Sequence, residues 1–331
     1  MKKPRILIVG SFTMDLITST RVFPGGGETV LGTDFSSAPG GKGANQAVQA
    51  ARLGADVTMV GKLGGDAFGD LILESVRNAG IHTEHILRAP DMPSPIGNII
   101  LEIDEAGNSH NRIIVVPATN MTIRPEDVAF LKDEIANYDM VMLQFEIPME
   151  INVLVAQYAH AKGVPVMVNP APAAEIPESL LQCASWISPN EHEAAALTGR
   201  KIRVDGGLNM EDVEAAASIL RSRGVDHVII TLGDHGAALM DEHGLRHLPC
   251  VPDVAVADPT SAGDSFVAAF CTGICAGLTP VDAMNFARNA AAITVSRMGA
   301  QPSEPTLEEV LNAMHANGNP DFPFSRLDSL R

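Results

Sequence analysis

Short apolar runs alternate with longer stretches of helical period along most of the chain, and this alternation limits the fold more than any other feature. Ile6–Gly10 (ILIVG) is a continuous apolar run of the buried-strand kind. Val57–Gly61 repeats it, and between the two, Gly40–Asn45 (GGKGAN) opens a helix, NQAVQAARLG, that closes at Gly54. A helix over Ala67–Ala79 stops at Gly80. From Pro125 the rhythm returns: helix 125–137 precedes strand Met140–Leu143, and helix 149–162 precedes strand Val164–Val168. A short strand near Trp186 leads to helix 191–198, helix 211–223 leads to strand His227–Leu232, and two strands around Asp241–Gly244 form a hairpin. An Ala-rich helix at 280–297 and a last helix near 306–316 complete the pattern. Strand alternating with helix implies an α/β fold: a mainly parallel sheet, helices on both faces, and ligands at the carboxyl ends of the strands.

Two segments break the rhythm. Residues 12–35 are rich in Thr and Gly and carry no helical period, which fits short exposed strands. Ile96–Ile103, DEAGN and RIIVV read as a hairpin with its turn near Glu105–Asn108. Together they predict a small four-stranded sheet outside the main body, of the sort that covers a site or pairs with a second subunit. The expected division is therefore a core of residues 1–11, 36–95 and 117–316, a β-sheet lid of 12–35 and 96–116, and a loosely held tail of 317–331.

Composition excludes several function classes. The chain has 331 residues, enough for one large domain with an insertion, and 46% of them are hydrophobic. A net charge of −17 argues against nucleic acid and against an anionic membrane surface. The four cysteines form no C-x-x-C pair, and the apolar start is too short for a signal peptide. No apolar stretch is long enough to span a membrane, so a reduced, cytoplasmic setting is expected.

The chemistry concentrates at helix starts. Asp258–Phe266 (DPTSAGDSF) follows strand-type residues Val251–Ala257 and runs into a buried helix. A small turn that opens a helix leaves backbone N–H groups unpartnered, and with the helix dipole they form a seat for an anion. Asp264 sits on that seat, either as a helix cap or as a base that deprotonates a nucleophile attacking a bound phosphate. In Gly40–Asn45 the glycines let backbone approach a ligand, with Lys42 and Asn45 as polar fingers, or they make an ordinary strand-to-helix turn. Asp15 and Glu146 each follow a strand and could accept hydrogen bonds from sugar hydroxyls. Asn190 and Glu193 (NEHE) read as a capped helix start or as groups arranging phosphate and metal-bound water. Thr231–Gly236 (TLGDHG) suits a nucleotide passing over the loop, or a hairpin. Neither a Walker loop nor G-x-G-x-x-G occurs, and no H-x-x-x-H suggests zinc.

In order, these pieces resemble the ribokinase family of sugar kinases, the pfkB-type carbohydrate kinases, from about Ile6 to about Pro305. GGKGANQAVQAARLGA and DPTSAGDSF carry the likeness, supported by QFEIP, NPAPA, SPNEHEAAALTG, ITLGDHG and RMGAQPS. The resemblance implies the ribokinase-like fold with a β-sheet lid that also makes a homodimer, and ATP-dependent phosphorylation of the primary 5-hydroxyl of D-ribose. It implies Asp264 as catalytic base and the Ser261–Asp264 backbone as anion hole. Thr13, Met14, Asp15, Gly41, Lys42, Gly43, Ala44, Asn45 and Glu146 match sugar-binding positions. Asn190, Thr231, Leu232, Gly233, Asp234, His235, Gly236, Gly263, Asp264 and Arg288 match nucleotide contacts. Glu193 matches a residue that holds Mg²⁺ through water, and Asp258, Thr260, Thr294, Arg297, Gly299 and Ser303 match a potassium site, partly through carbonyls. One position departs: Thr13 stands where the family usually has Asn. Deoxyribose, another pentose, a ketohexose or a nucleoside therefore stay open as substrates, with a non-catalytic sugar sensor as the rival from another class.

Overall fold

A computed structural model describes residues 2–103, 109–204 and 207–331. Its strands are β1 (Arg5–Val9), β2 (Thr13–Thr20), β3 (Gly32–Gly40), β4 (Asp56–Gly64), β5 (Ile86–Ala89), β6 (Ile96–Ile103), β7 (Ser109–Val116), β8 (Met140–Gln144), β9 (Val166–Asn169), β10 (Trp186–Ile187), β11 (His227–Thr231), β12 (Ala237–Asp241) and β13 (Gly244–Leu248). The helices are α1 (Lys42–Arg52), α2 (Ala67–Asn78), α3 (Leu131–Glu134), α4 (Met149–Ala161), α5 (Glu178–Leu181), α6 (Glu191–Thr198), α7 (Met210–Ser222), α8 (Ala262–Cys275), α9 (Pro280–Val295) and α10 (Leu307–Ala316).

Nine strands form the main sheet in the order β13-β12-β11-β10-β9-β8-β1-β4-β5. Pairing is parallel from β11 to β5, and the β11-β12-β13 end is antiparallel. Side chains alternate between the two faces of a strand, so each apolar run feeds two cores. Ile6 and Ile8 join Met142 and Met167 under α1, α2, α8, α9 and α10. Leu7 and Val9 join Leu143 and Val168 under α4, α5, α6 and α7. This double coverage is why β1 and β8 read as unbroken apolar runs.

The four-stranded sheet, ordered β3-β2-β6-β7, stands apart from the main one. It exposes Phe35, Ile113, Ile114 and Val115. Its edge strand β3, antiparallel to β2, runs to Gly40, so the expected boundary at residue 36 falls inside a strand. The expected turn at Glu105–Asn108 lies outside the described residues.

Three expectations need correction. Residues 125–137 are not one helix but 3₁₀ turns at Pro125–Val128 and Ile135–Asn137 flanking the short α3. The tighter turns align Val128 and Leu131, three residues apart, on the buried side with Ile135. Val251–Ala257 is no strand: Pro252 has no amide to offer a ladder, Asp253 takes a left-handed φ of 57°, and Val256 is exposed. The tail is docked rather than loose. Phe322, Leu327 and Leu330 are buried in the core, and the Leu330 backbone lies so close to Gly54 that a Cβ there would collide with it.

Candidate active site

From β1 the chain runs to β4 and β5 on one side, then returns to β8 and continues to β11 on the other. Strand order reverses between β1 and β8, where a crevice opens beyond the carboxyl ends of a parallel sheet. Ser11 follows β1 and Glu146 follows β8. Ser11 Oγ donates to Glu146 Oε2 at 2.5 Å, and the Lys42 amide donates to the same oxygen at 3.0 Å. Glu146 thus holds the start of α1, which Gly41 enters at φ 94° with no side-chain cap of its own.

Asp15 lies half-buried beside this junction. β2 pairs it with Gly97 of β6, and a Cβ at Gly97 or Gly40 would come within 2.5 or 2.6 Å of its carboxylate oxygens. Burial, and then the charge of Glu146, push the Asp15 pKa up to about 6. Thr13 Oγ1 donates to the Phe12 carbonyl at 2.8 Å, so its hydroxyl is turned back on the main chain. Met14 and Ala44 are buried in the core, so only their backbones remain to face a ligand.

Asp264 is the third residue of α8 and is only 6% exposed. Its Oδ2 accepts from Asn45 Nδ2 and its Oδ1 from Gln46 Nε2, both at 3.1 Å. Ser261 precedes the helix with a left-handed φ of 64° and makes no side-chain cap. The Ala262 amide reaches the Pro259 carbonyl at 3.2 Å; among the described residues, the Gly263 and Asp264 amides have no protein acceptor. They face a cavity of about 210 Å³ shared by Lys42, Asn190, Glu193, Gly263 and Asp264. Burial alone would lower the Lys42 pKa, but Asp264, Glu146 and Glu193 hold its ammonium above the ordinary value. A carboxylate, two free amides and a fixed cation thus meet in one hollow. Among the described residues Asn45 Oδ1 is buried without a donor, an acceptor open to a hydroxyl. Asp15 and Glu146 do not line this cavity; the GGKGAN turn links them to it.

A second hollow, about 660 Å³ and mostly apolar in lining, adjoins the first across Asn190, Thr231 and Gly263. Gly233, Asp234, Gly236 and Arg288 reach it, while Leu232 is buried behind it and His235 is not among its walls. Arg288 is held by Asn285 Oδ1 at 2.9 Å and the Pro249 carbonyl at 2.8 Å.

The metal candidates divide. Asn190 and Glu193 form a full capping box at the start of α6. Glu193 Oε1 stays uncommitted among the described residues, and burial raises its pKa despite the hydrogen bond from the Asn190 amide. One carboxylate facing an anion seat fits Mg²⁺ carried in with phosphate and water. Among the described residues no cluster of three acids, His or Cys could hold a metal unaided. Asp258 accepts from the Thr260 amide and the Gly299 amide, each at 2.9 Å. The side chains of Thr294, Arg297 and Ser303 are committed to Ser265, Glu309 and the Ala300 carbonyl. A cation there would meet one carboxylate and neutral carbonyls, a donor set that fits a monovalent ion.

Sequence reasoning passed over Gln46 as a separate group. It is fully buried, accepts from Gln144 Nε2 at 2.6 Å, and donates to Asn169 as well as to Asp264. The available signal was the pair Gln46 and Gln49 on the buried side of an otherwise Ala- and Val-rich helix.

Comparison with known proteins agrees with this arrangement. A family model described as pfkB family carbohydrate kinase matches residues 3–307. The chain is 37% identical over 321 residues to a ribokinase of Schizosaccharomyces pombe, covering 95% of this chain and 99% of the relative. It is 32% identical over 305 residues to a deoxyribokinase of Salmonella typhi, covering 92% and 96%. The solved structure of Arabidopsis thaliana ribokinase complexed with ribose and ATP matches with a TM-score of 0.85 at 32% identity, covering 95% of this chain and 99% of that one.

Proposed function

The chain belongs to the pfkB family of carbohydrate kinases, and from that premise we propose that it transfers the γ-phosphoryl group of ATP to the primary 5-hydroxyl of D-ribose. The observation that carries the chemistry is Asp264 with the free Gly263 and Asp264 amides and Lys42 around one cavity. The sugar docks against Asp15, the orphaned Asn45 Oδ1 and the open oxygen of Glu146. Asn45 and Gln46 hold the Asp264 carboxylate in place while it takes the proton from the hydroxyl. The oxygen so bared attacks in line. The two amides and Lys42 stabilise charge on the migrating group, which is most of what phosphoryl transfer asks of a protein. The adenosine part lies in the apolar hollow between Gly233–Gly236 and Arg288.

Asn190 and Glu193 would hold Mg²⁺ through water; when bound it neutralises charge on the phosphate oxygens. Asp258 and the carbonyls around Gly299 would hold K⁺, whose charge would order the turn that carries the amides. The four-stranded sheet covers the sugar and pairs with a second copy through its exposed Phe35 and Ile114, a dimer that the molar mass by light scattering checks. Among the described residues no helix is long and apolar enough to cross a membrane, and ATP as substrate suits a cytoplasmic setting.

A specific observation favours a second substrate. Thr13 gives its hydroxyl to Phe12 and offers a sugar no donor, which lowers selectivity against a deoxy sugar. The test is ATP turnover with D-ribose, 2-deoxyribose, other pentoses, ketohexoses and nucleosides, in K⁺ and in a bulky organic cation. D-ribose should give the highest kcat/KM, and K⁺ should raise the rate. Absence of turnover with every sugar and every nucleoside would leave only the sugar-sensor reading.

A further inference from the structure

Glu304 is a buried carboxyl that none of the chemistry above uses. It is 2% exposed, in the segment between α9 and α10. Its Oε1 accepts from Ser261 Oγ at 2.8 Å, and among the described residues its Oε2 has no partner. Ser261 is the left-handed residue in front of α8, and its hydroxyl leaves its own helix uncapped to make this bond. A non-glycine residue in that backbone region persists only where its surroundings hold it.

The same segment is tied to α1. Arg52 Nη1 donates to the Glu304 carbonyl at 2.7 Å and also to the Gln301 carbonyl. Gln49 Nε2 donates to the Pro305 carbonyl at 2.9 Å, while Gln49 Oε1 accepts from Ser265 Oγ at 2.9 Å. Residues 304–305 therefore bridge the helix that supplies Asn45 and Gln46 to the helix that supplies Asp264 and the free amides.

We propose that Glu304 is a positioning residue for phosphoryl transfer: through Ser261 it fixes the turn that aims the Gly263 and Asp264 amides, in register with the α1 amides that hold Asp264. The proposal rests on the kinase reading. Glu304 touches neither substrate, so its loss acts on kcat. Misaimed amides stabilise the transition state less, while the sugar contacts of Asp15 and Asn45 are unaffected.

The experiment compares Glu304→Leu, Glu304→Gln and Ser261→Ala, assayed with ATP and the sugar that the wild-type protein turns over fastest. Glu304→Leu should lower kcat at least tenfold with sugar KM within about twofold. Glu304→Gln keeps an oxygen for Ser261 and should restore kcat to within about threefold of wild type. Ser261→Ala breaks the bond from its half-buried partner and should lower kcat in the same direction, which keeps the test decisive if Glu304→Leu fails to fold. Wild-type kcat in Ser261→Ala, or a Glu304→Gln variant as slow as Glu304→Leu, would overturn the proposal. A wild-type protein that turns over ATP with no sugar would instead overturn the kinase reading.

Discussion

Helices α8 and α10 start within one small region of the molecule and treat their first amides in opposite ways. At α10, Thr306 accepts from the Glu309 amide, and Glu309 reaches back to the Thr306 amide, a complete capping box. At α8, Ser261 caps nothing, and the Gly263 and Asp264 amides are left open to a cavity. An uncapped start forgoes roughly 1 kcal/mol of helix stability. The contrast teaches that α10 is finished by its own side chains, whereas α8 leaves its first amides open, as the proposed anion seat requires. Substitutions at the two starts should therefore separate turnover from stability. The largest effect belongs to Asp264→Asn. It keeps the side-chain shape and removes the proposed base, so kcat should fall by about 10²–10⁴ with sugar KM little changed. Near-full turnover in the purified variant would break the contrast at its centre.

Gly263→Ala is the next sharpest probe. A Cβ at Gly263 meets no atom of the protein within 4 Å, so the chain tolerates it and helix propensity gains from it. The added methyl projects where an anion must approach the amides. The expected outcome is an unchanged or slightly raised melting temperature together with a loss of kcat/KM for ATP of roughly tenfold or more, since a tenfold loss needs only about 1.4 kcal/mol. A stable variant with wild-type ATP kinetics would show that the open amides are not the anion seat.

The sequence made part of this contrast legible and hid the rest. Apolar runs such as Ile6–Val9 and Met140–Leu143 showed both their strands and a sheet covered on its two faces, though not the strand order, because burial on both faces leaves no polar alternation to confuse the reading. The DPTSAGDSF and GGKGAN turns stood out as helix starts because each sets small or glycine residues beside a polar side chain directly before a buried helix. What the sequence could not show depends on contacts distant along the chain. The approach of Gln46 to Asp264, 218 residues apart, has no local signature. Nor does the docking of Leu330 against Gly54, which turned an expected loose tail into core. Val251–Ala257 misled in the opposite sense, since composition suggested a strand but Pro252 and Asp253 removed the means of pairing. Asn190 and Glu193 form the capping box that their spacing suggested, and the same two residues line the cavity, so the cap does not remove them from the proposed site.

Two carboxylates extend the same comparison to acceptors. Hydrogen bonds from Arg297 and then the Thr306 amide hold Glu309 down to about 2, the value of an acid whose partners are all supplied by the chain. Burial, seconded by Glu146, holds Asp15 up at about 6, the value of an acid still waiting for donors. The signs differ accordingly. Glu309, depressed on folding, stabilises the protein above its unfolded range and loses that contribution only as pH falls toward 2. Asp15, raised on folding, contributes stability below its unfolded range and loses it as pH rises through about 6, so acidification to pH 5 does not unfold the protein through this group. It does remove the ionised acceptor that the proposed sugar site requires. The kcat/KM for the sugar should therefore fall about tenfold per pH unit below about 6 while the melting temperature holds to pH 5. A flat kcat/KM between pH 7 and pH 5 would remove Asp15 from the sugar site.

Thr306→Ala carries the smallest effect and closes the comparison from the finished side. It deletes the acceptor for the Glu309 amide and should cost about 1 kcal/mol, a fall of roughly 2 °C in melting temperature for a chain of this size. Because α10 offers its amides to no ligand, kcat and both KM values should stay within experimental scatter of wild type. The measurement is most informative beside Gly263→Ala, for the two substitutions lie at the first turns of neighbouring helices and are expected to move opposite quantities: one stability without turnover, the other turnover without stability. If Thr306→Ala slowed catalysis as much as Gly263→Ala, the segment from Glu304 to Thr306 would be steering the α8 turn as a unit, and the line drawn between the two helix starts would have to move to include α10.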